Sequence, residues 1–419
     1  MIDVGETKAS AAPQYWFGRV PPRWSVHRIK DLMRPVDIRS CDGTQRLLSM
    51  RMNFGLVPTD EFSTKPANPE DLIGYKVVRP GQLVVNRMQA GNGLIFLSSL
   101  DGIVSPDYAV FQPTTAASLT FLGLLFRAPV SRTHFRRLSK GLGTGTSGFL
   151  RLYDDDFLAV RIALPTKEEQ DAIVRFLEEK ERDIEHYLAT KRRMIEGLER
   201  HRDAVIAAAM NPSTAPDWSR RPLVALRRIT EIVDCKHITA EFVDTGYPLA
   251  SVREVQSITV DLSTANKTTA QYYNSLVEGG RRPRQGDLIF CRNTSINASL
   301  VETDQEFAMG QDVCLIKGDR VHGRFLVYAL RSAVVREQLD RLLVGATIKR
   351  VNVADVRNLS VPSYTLDEQT RIAQRIDASL TPIKEAEIVI QREIAAMEEY
   401  RTRLIADAVT GQIDVRRAT

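Results

Sequence analysis

Two short stretches of this chain are rich in side chains that can read the edges of nucleic-acid bases. After Gly81-Gln82-Leu83 come Asn86, Arg87, Gln89 and Asn92, and after Gly286-Asp287-Leu288 come Arg292, Asn293 and Asn297. The arginine fork matches the two acceptors of guanine, and an Asn or Gln amide matches the donor–acceptor pair of adenine. Other segments carry bare positive charge: Arg132, Arg136, Arg137 and Lys140; Arg281, Arg282 and Arg284; then Lys349 and Arg350. Such residues suit phosphate contacts, which set position without specifying sequence.

The common routes to catalysis are missing from the pattern. The six histidines show no metal-ligand spacing, there is no G-x-S-x-G elbow, and there is no Asn/Asp-Pro-Pro-aromatic run of the adenine-methyltransferase kind. The glycine-rich run from Gly141 to Gly148 lacks the G-K-[S/T] ending of a phosphate-binding loop and reads as a mobile loop over a DNA backbone. Pro106-Asp107 and Glu178-Glu179-Lys180 superficially suggest a nuclease, but the latter falls within a long helical pattern, where charges belong on the solvated face. Trp24 and Trp218 occupy equivalent places and read as core anchors. No catalytic, cofactor-binding or metal-binding residues are therefore expected.

Length and composition fit two or three globular parts, with 419 residues, 43% hydrophobic and 26% charged. The net charge of +5 is unevenly spread. Residues 15–165 and 216–362 carry +7 and +3, whereas 166–212 and 363–412 carry −2 and −3. A segregated basic surface is what binding to a polyanion requires. No apolar run approaches the roughly 20 residues of a membrane span. The first residues show no secretory signal, and the four cysteines form no C-x-x-C pair, so a reducing cytosol is expected.

The chain repeats itself. Glu169-Gln170 is echoed by Glu368-Gln369 at an offset of 199, which holds without a gap for about forty residues, pairing Ile173 with Ile372, Ile184 with Ile383 and Arg202 with Arg401. Upstream, Pro22-Arg23-Trp24-Ser25 resembles Pro216-Asp217-Trp218-Ser219, and Asp107 and Asp312 each lie 26 residues after the glycine of their turn. Each copy opens with short β-like runs such as Leu83-Val84-Val85 and Leu288-Ile289-Phe290, mixed with helical patterns. It then closes with a long helix entered through a Thr-x-x-Glu capping box, Thr166 to Glu169 and Thr365 to Glu368. The expected fold is α+β: two tandem domains at 15–165 and 213–362, followed by helices at 166–212 and 363–412.

Both helices carry an apolar stripe stepping 3, 4, 3, 4. One runs Glu181, Ile184, Leu188, Lys191, Ile195, Leu198, Arg202, Val205, Ala209; the other runs Leu380, Ile383, Glu387, Ile390, Ile394, Met397, Arg401, Leu404, Ala408. That period marks a coiled-coil seam. The charged interruptions fall at different places in the two copies, so the helices should pair with each other, most simply antiparallel. About 44 helical residues would make a rod of roughly 65 Å.

The ordered set of motifs, occurring twice, resembles the specificity subunits of type I restriction–modification systems over nearly the whole chain. It comprises the P-x-W opening, the G-D-L turn, Gly345-Ala346-Thr347, the Pro then Glu-Gln helix entry, and the closing Thr410-Gly411-Gln412-Ile413. Gln82 in place of Asp, and Asn211-Pro212 in place of Thr-Gly, depart from the pattern. The resemblance implies two target-recognition domains, each reading half of a bipartite asymmetric DNA site, with the helices setting the gap. It also implies two methyltransferase subunits and restriction subunits as partners, which would supply the S-adenosylmethionine, ATP and Mg²⁺ chemistry, and no membrane association. Two other readings stay open: a stand-alone nuclease or methyltransferase with degenerate motifs, and a coiled-coil adaptor that does not bind DNA. Activity from the isolated chain would mark the first, and unchanged DNA mobility at low salt the second.

Overall fold

The computed structural model describes residues 16–52, 54–62, 67–115, 117–142, 149–210, 221–293, 297–343 and 350–417. The glycine-rich run beyond Leu142, the segment with Trp218, Gly345-Ala346-Thr347 and Lys349 lie outside them. The chain forms two compact units, residues 1–191 with 392–419, and residues 192–391.

The first unit contains β1 (Ser25–Arg28), β2 (Met33–Val36), β3 (Leu48–Arg51), β4 (Gly55–Pro58), β5 (Lys76–Val78), β6 (Leu83–Asn86), β7 (Ile95–Leu97), β8 (Gly102–Val104) and β9 (Tyr108–Pro113). Next come α1 (Leu119–Arg127), α2 (Pro129–Leu138), β10 (Lys140–Leu142), β11 (Phe149–Arg151), α3 (Asp154–Ala159), β12 (Arg161–Leu164) and the long α4 (Lys167–Ala209). The second globular part has β13 (Leu223–Ala225), α5 (Leu226–Ile229), β14 (Ile232–Asp234), β15 (Phe242–Val243), β16 (Tyr247–Ala250), β17 (Lys267–Thr268), α6 (Ala270–Val277), β18 (Leu288–Cys291) and β19 (Ala298–Leu300). It continues with β20 (Ala308–Met309), β21 (Val313–Ile316), α7 (Gly323–Leu330), α8 (Ala333–Leu343), α9 (Val353–Asn358), β22 (Ser360–Pro362) and the long α10 (Leu366–Val409).

The duplication is structural. Both lobes contain a four-stranded sheet of the same order, β2-β9-β6-β7 in the first and β14-β21-β18-β19 in the second, with every pairing in it antiparallel. Each also pairs its opening strand with its last, β1 with β12 and β13 with β22. The uninterrupted apolar runs follow from burial on both faces. Because strand side chains alternate, Leu83, Val85 and Phe111 enter one core while Val84, Phe96 and Val110 enter another. In the second lobe Leu288, Phe290 and Cys314 enter one core, and Ile289, Cys291 and Val313 its opposite. The lobes differ in what surrounds this sheet: the first carries the β3–β4 ribbon and the pair β5–β8, the second a further four-stranded sheet, β15-β17-β16-β20.

Each helix entry is locked the same way. Gln170 accepts a hydrogen bond from the Ser118 amide at 2.7 Å and donates to the Pro165 carbonyl at 2.9 Å. Gln369 accepts from the His322 amide at 2.8 Å and donates to the Tyr364 carbonyl at 2.9 Å. Ser118 and His322 are the N-caps of α1 and α7, so one amide ties each long helix to a helix of its lobe. The preceding glutamates pair with arginines, Glu169 with Arg23 and Glu368 with Arg221, both at 2.6 Å. The expected capping box is complete only at the second entry, where the Thr365 amide donates to Glu368 at 2.8 Å. At the first, the Glu169 carboxylate turns instead to Arg23 and the Trp24 indole N–H. Two strong donors outcompete the cap amide, and their hydrogen bonding holds the Glu169 carboxyl below its ordinary range. Trp24 is a core residue, 7% exposed.

The seam is antiparallel. Within the first unit Glu181 bonds Arg401 and Lys191 pairs with Glu393, so numbers rise on one helix as they fall on the other. Within the second unit Arg202 meets Glu387 at 3.6 Å. The charges that break the two stripes thus answer each other across the seam, while Ile184, Leu188, Leu404 and Ala408 are buried as expected. One departure occurs near the end of α4. Ile206 and Met210 are the buried residues there, at 1% and 0% exposure, rather than Val205, because the helix packs there on the core of the second lobe. Among the described residues no helix is long and apolar enough to cross a membrane.

Candidate nucleic-acid interface

The glycine turns come first in the site's construction. Gly81 and Gly286 take φ of +80° and +91°, a region that suits glycine. The next residue closes the turn. Asp287 accepts from the Arg284 amide at 3.0 Å, and Gln82 accepts from the Arg79 amide at 2.8 Å. Gln82 therefore performs the aspartate's local task, and the departure from the motif costs the turn nothing.

Beyond β6 and β18 the two lobes share one frame. The Arg87 carbonyl accepts from the Leu152 amide and the Arg292 carbonyl from the Val351 amide, both at 2.9 Å. Asp107 pairs with Arg151 at 3.2 Å, and Asp312 with Arg350 at 3.0 Å. Asp312 sits at φ +65°, in the left-handed region, where its carboxylate also accepts from the side-chain Nδ2 of Asn293. The repeat of Asp107 and Asp312 was visible in the sequence, but their arginine partners were not.

The base-reading candidates divide by exposure. Asn86 is buried, and its side chain accepts from the Met88 amide at 3.1 Å, shaping the turn. Arg87 makes a two-pronged ion pair with Asp154, at 2.7 and 2.5 Å, with 12% of its side chain exposed. Arg292 is 4% exposed and pairs with Asp234 at 2.9 Å. These two guanidiniums build the loop rather than project from it, a role that spacing alone did not reveal. Asn297 donates to Gln256 at 3.3 Å and is half-buried. Gln89 and Asn92 are exposed on a 3-10 turn, Ala90–Asn92.

That turn lies against α2, which brings together candidates some forty residues apart. Arg136 donates to the side-chain Oδ1 of Asn92 at 2.5 Å. A Cβ at Gly91 would lie 2.9 Å from the Arg136 side chain, and one at Gly93 3.0 Å from that of Arg132. Arg136 and Arg137 are exposed beside them, and Lys140 follows, paired with Asp156 at 2.7 Å, which raises its pKa. Gln89, Asn92, Arg132, Arg136, Arg137 and Lys140 therefore occupy one basic, donor-rich region of the first lobe.

The second lobe gathers its charges less tightly. Arg281 donates to the carbonyls of Asp234 and Glu278, Arg282 pairs with Glu306 at 3.2 Å, and the Arg284 side chain is exposed. Arg350 is joined to Asn293 by a β-bridge. Asp234, Cys235 and His237 are near enough together to share a cation. Arg292 already places a positive charge 2.9 Å from Asp234, and burial pushes the Cys235 thiol up, away from the thiolate a metal needs.

No protein-family model matches the chain. Among curated proteins it is similar to the type I restriction enzyme MjaVIII specificity subunit of Methanocaldococcus jannaschii, 21% identical over 285 residues, covering 62% of this chain and 64% of that one. It is also similar to the type I restriction enzyme EcoBI specificity subunit of Escherichia coli, 22% identical over 198 residues, covering 47% and 39%. The chain thus spans less than two thirds of the length of either relative. A chain in a solved structure of the complex assembly and conformational transition of a type I restriction–modification system shares its fold, with a TM-score of 0.59 and 18% identity over 94% of this chain and all of that one. The resemblance drawn from the duplicated motifs is borne out, and so is the α+β fold with its paired long helices.

Proposed function

We propose that the chain is the DNA-specificity subunit of a type I restriction–modification complex and has no catalytic site of its own. The observation that carries this is the duplicated lobe, an identical sheet order and frame occurring twice, each ending in one of two antiparallel helices. Its similarity to two specificity subunits supports the same reading. In it, domains at 15–165 and 213–362 each read one half of an asymmetric bipartite sequence, and the helices at 166–212 and 363–412 set the gap. The exposed cluster from Gln89 to Lys140, with Arg282, Arg284, Lys349, Arg350 and Asn297 in the second lobe, supplies the contacts. Asn86, Arg87, Arg281, Arg292 and Asn293 hold the loops in shape beneath them. The partners are double-stranded DNA, two methyltransferase subunits and restriction subunits in the cytosol. S-adenosylmethionine, ATP and Mg²⁺ act in those partners.

The test is methylome sequencing of cells carrying the chain with its methyltransferase partner. A split motif is expected. Replacing residues 80–150 should change one half of it, and removing a heptad from each helix should narrow the gap. Simultaneous change of both halves in the first experiment would overturn the reading. Methylation or cleavage by the isolated chain would show instead that it is itself an enzyme.

A further inference from the structure

The ribbon β3–β4 is amphipathic along its length and apolar at its end. Its inner residues Leu48, Met50 and Leu56 are 2 to 6% exposed, packed with Val84, Phe96 and Val110. Past the Arg51–Gly55 pair the pattern inverts. Met52 is 47% exposed and Phe54 67%, the most exposed large hydrophobic residue among those described, and Phe62, which follows β4 in the chain, is 47% exposed beside Phe54. The two rings lie 5.7 Å apart, and the Arg51 guanidinium sits 5.4 Å above Phe62. Arg51 has no carboxylate partner among the described residues. The fold of the ribbon does not need Met52 or Phe54 to be apolar, and polar residues are the usual choice at such exposed positions.

The tip lies beside β7, on the face of the sheet opposite α2. A Cβ at Gly55 would lie 3.5 Å from the Phe96 ring, and Phe96 is on β7, directly after the turn that bears Gln89 and Asn92. Tyr108, beside Asn86, also feels the charge of Arg51. A two-stranded ribbon fits the DNA major groove, where the C5 methyl of thymine is the one apolar group on a base edge. The second lobe builds the corresponding segment as a sheet, so the argument concerns one half-site.

We infer that the β3–β4 ribbon enters the major groove and sets Met52 and Phe54 against thymine methyl groups, with Arg51 on the adjoining backbone. This rests on the reading of the chain as a DNA-specificity subunit. Duplexes are selected from a random library by the full chain, and the thymines of the selected site are replaced one at a time by deoxyuridine, which lacks only the methyl. Wild type should lose about fourfold in affinity at one or two positions of a single half-site, the loss expected from one buried carbon at about 0.8 kcal/mol. Phe54→Ala should bind more weakly and be indifferent to those same replacements. Phe54→Leu, which stays apolar, should keep part of the sensitivity, and circular dichroism checks that the variants fold. If no duplex is enriched, the specificity reading itself fails. If duplexes are enriched but deoxyuridine changes nothing, or Phe54→Ala remains equally sensitive, the ribbon does not read methyls. DNA binding by Phe54→Ala that matches wild type, with loss of assembly on the methyltransferase, would make the tip a protein contact and overturn the inference.

Discussion

Replacing Gln170 by Ala tests how a long helix is joined to its lobe. The side chain is 4% exposed and makes two hydrogen bonds, one from the Ser118 amide and one to the Pro165 carbonyl. Removing it strands two buried backbone groups, each worth about 1–3 kcal/mol when left unpaired. Water entering the vacated space recovers part of that, leaving a loss of about 3 kcal/mol. Hydrogen exchange of the α1 amides reports the local effect, and urea unfolding the global one. Gln170→Glu is a sharper probe. At neutral pH its carboxylate still accepts from Ser118 but points an oxygen at the Pro165 carbonyl. That contact raises the folded-state pKa, so the defect should shrink as acid protonates the group and lets it donate. Gln374→Ala, at an exposed position of α10, is the control and should change stability by less than about 0.5 kcal/mol. A Gln170→Ala protein as stable as that control would refute the clamp.

Three further outcomes are expected. Asp287→Ala should destabilise the second lobe by about 2–3 kcal/mol in urea unfolding, because this 3%-exposed carboxylate accepts from two backbone amides, and Gln82→Asp should cost about 1–3 kcal/mol, because it loses the bond that Gln82 donates to Gln112 and buries a charge in its place. Glu169→Gln should cost about 1 kcal/mol at neutral pH, since Arg23 is partly exposed. The folded pKa of Glu169 is depressed, so its contribution is present above the ordinary glutamate range and is lost as pH falls through the folded value; wild type and variant should converge in acid thermal melts. Arg136→Ala and Arg137→Ala should each lower the slope of log affinity against log salt by about 0.9 in DNA binding, without altering the selected sequence.

The sequence carried the periodic features well. The stripe positions, the helix entries and the duplicated turns follow from local spacing, and even the charges at Glu181, Arg202, Glu387 and Arg401 fell where the seam later paired them. What it hid were partners brought together by the chain's return. Arg87 finds Asp154 across 67 residues, and Gln170 reaches Ser118 across 52. A donor meant for a carboxylate and one meant for a base look alike in one dimension. Exposure separates them, and exposure is a property of the folded lobe. The apolar tip at Phe54 escaped notice for the opposite reason, since apolar residues in a β-like run are ordinarily core.

The end of α10 has a consequence for how the protein is made. Leu404, Ala408, Val409 and Val415 belong to the same core as Trp24, Phe17 and Ile29. Gly411, at φ +74°, leaves room for Pro21 and Trp24, and Gln412 donates to the Arg19 carbonyl at 2.9 Å. During synthesis the first lobe emerges early yet lacks these residues until positions 404–415 have been made. The second unit, 192–391, has all its parts sooner. The lobe translated first is therefore completed last, across a loop of some 390 residues, and until then its apolar surface around Trp24 stays open to chaperones and to aggregation.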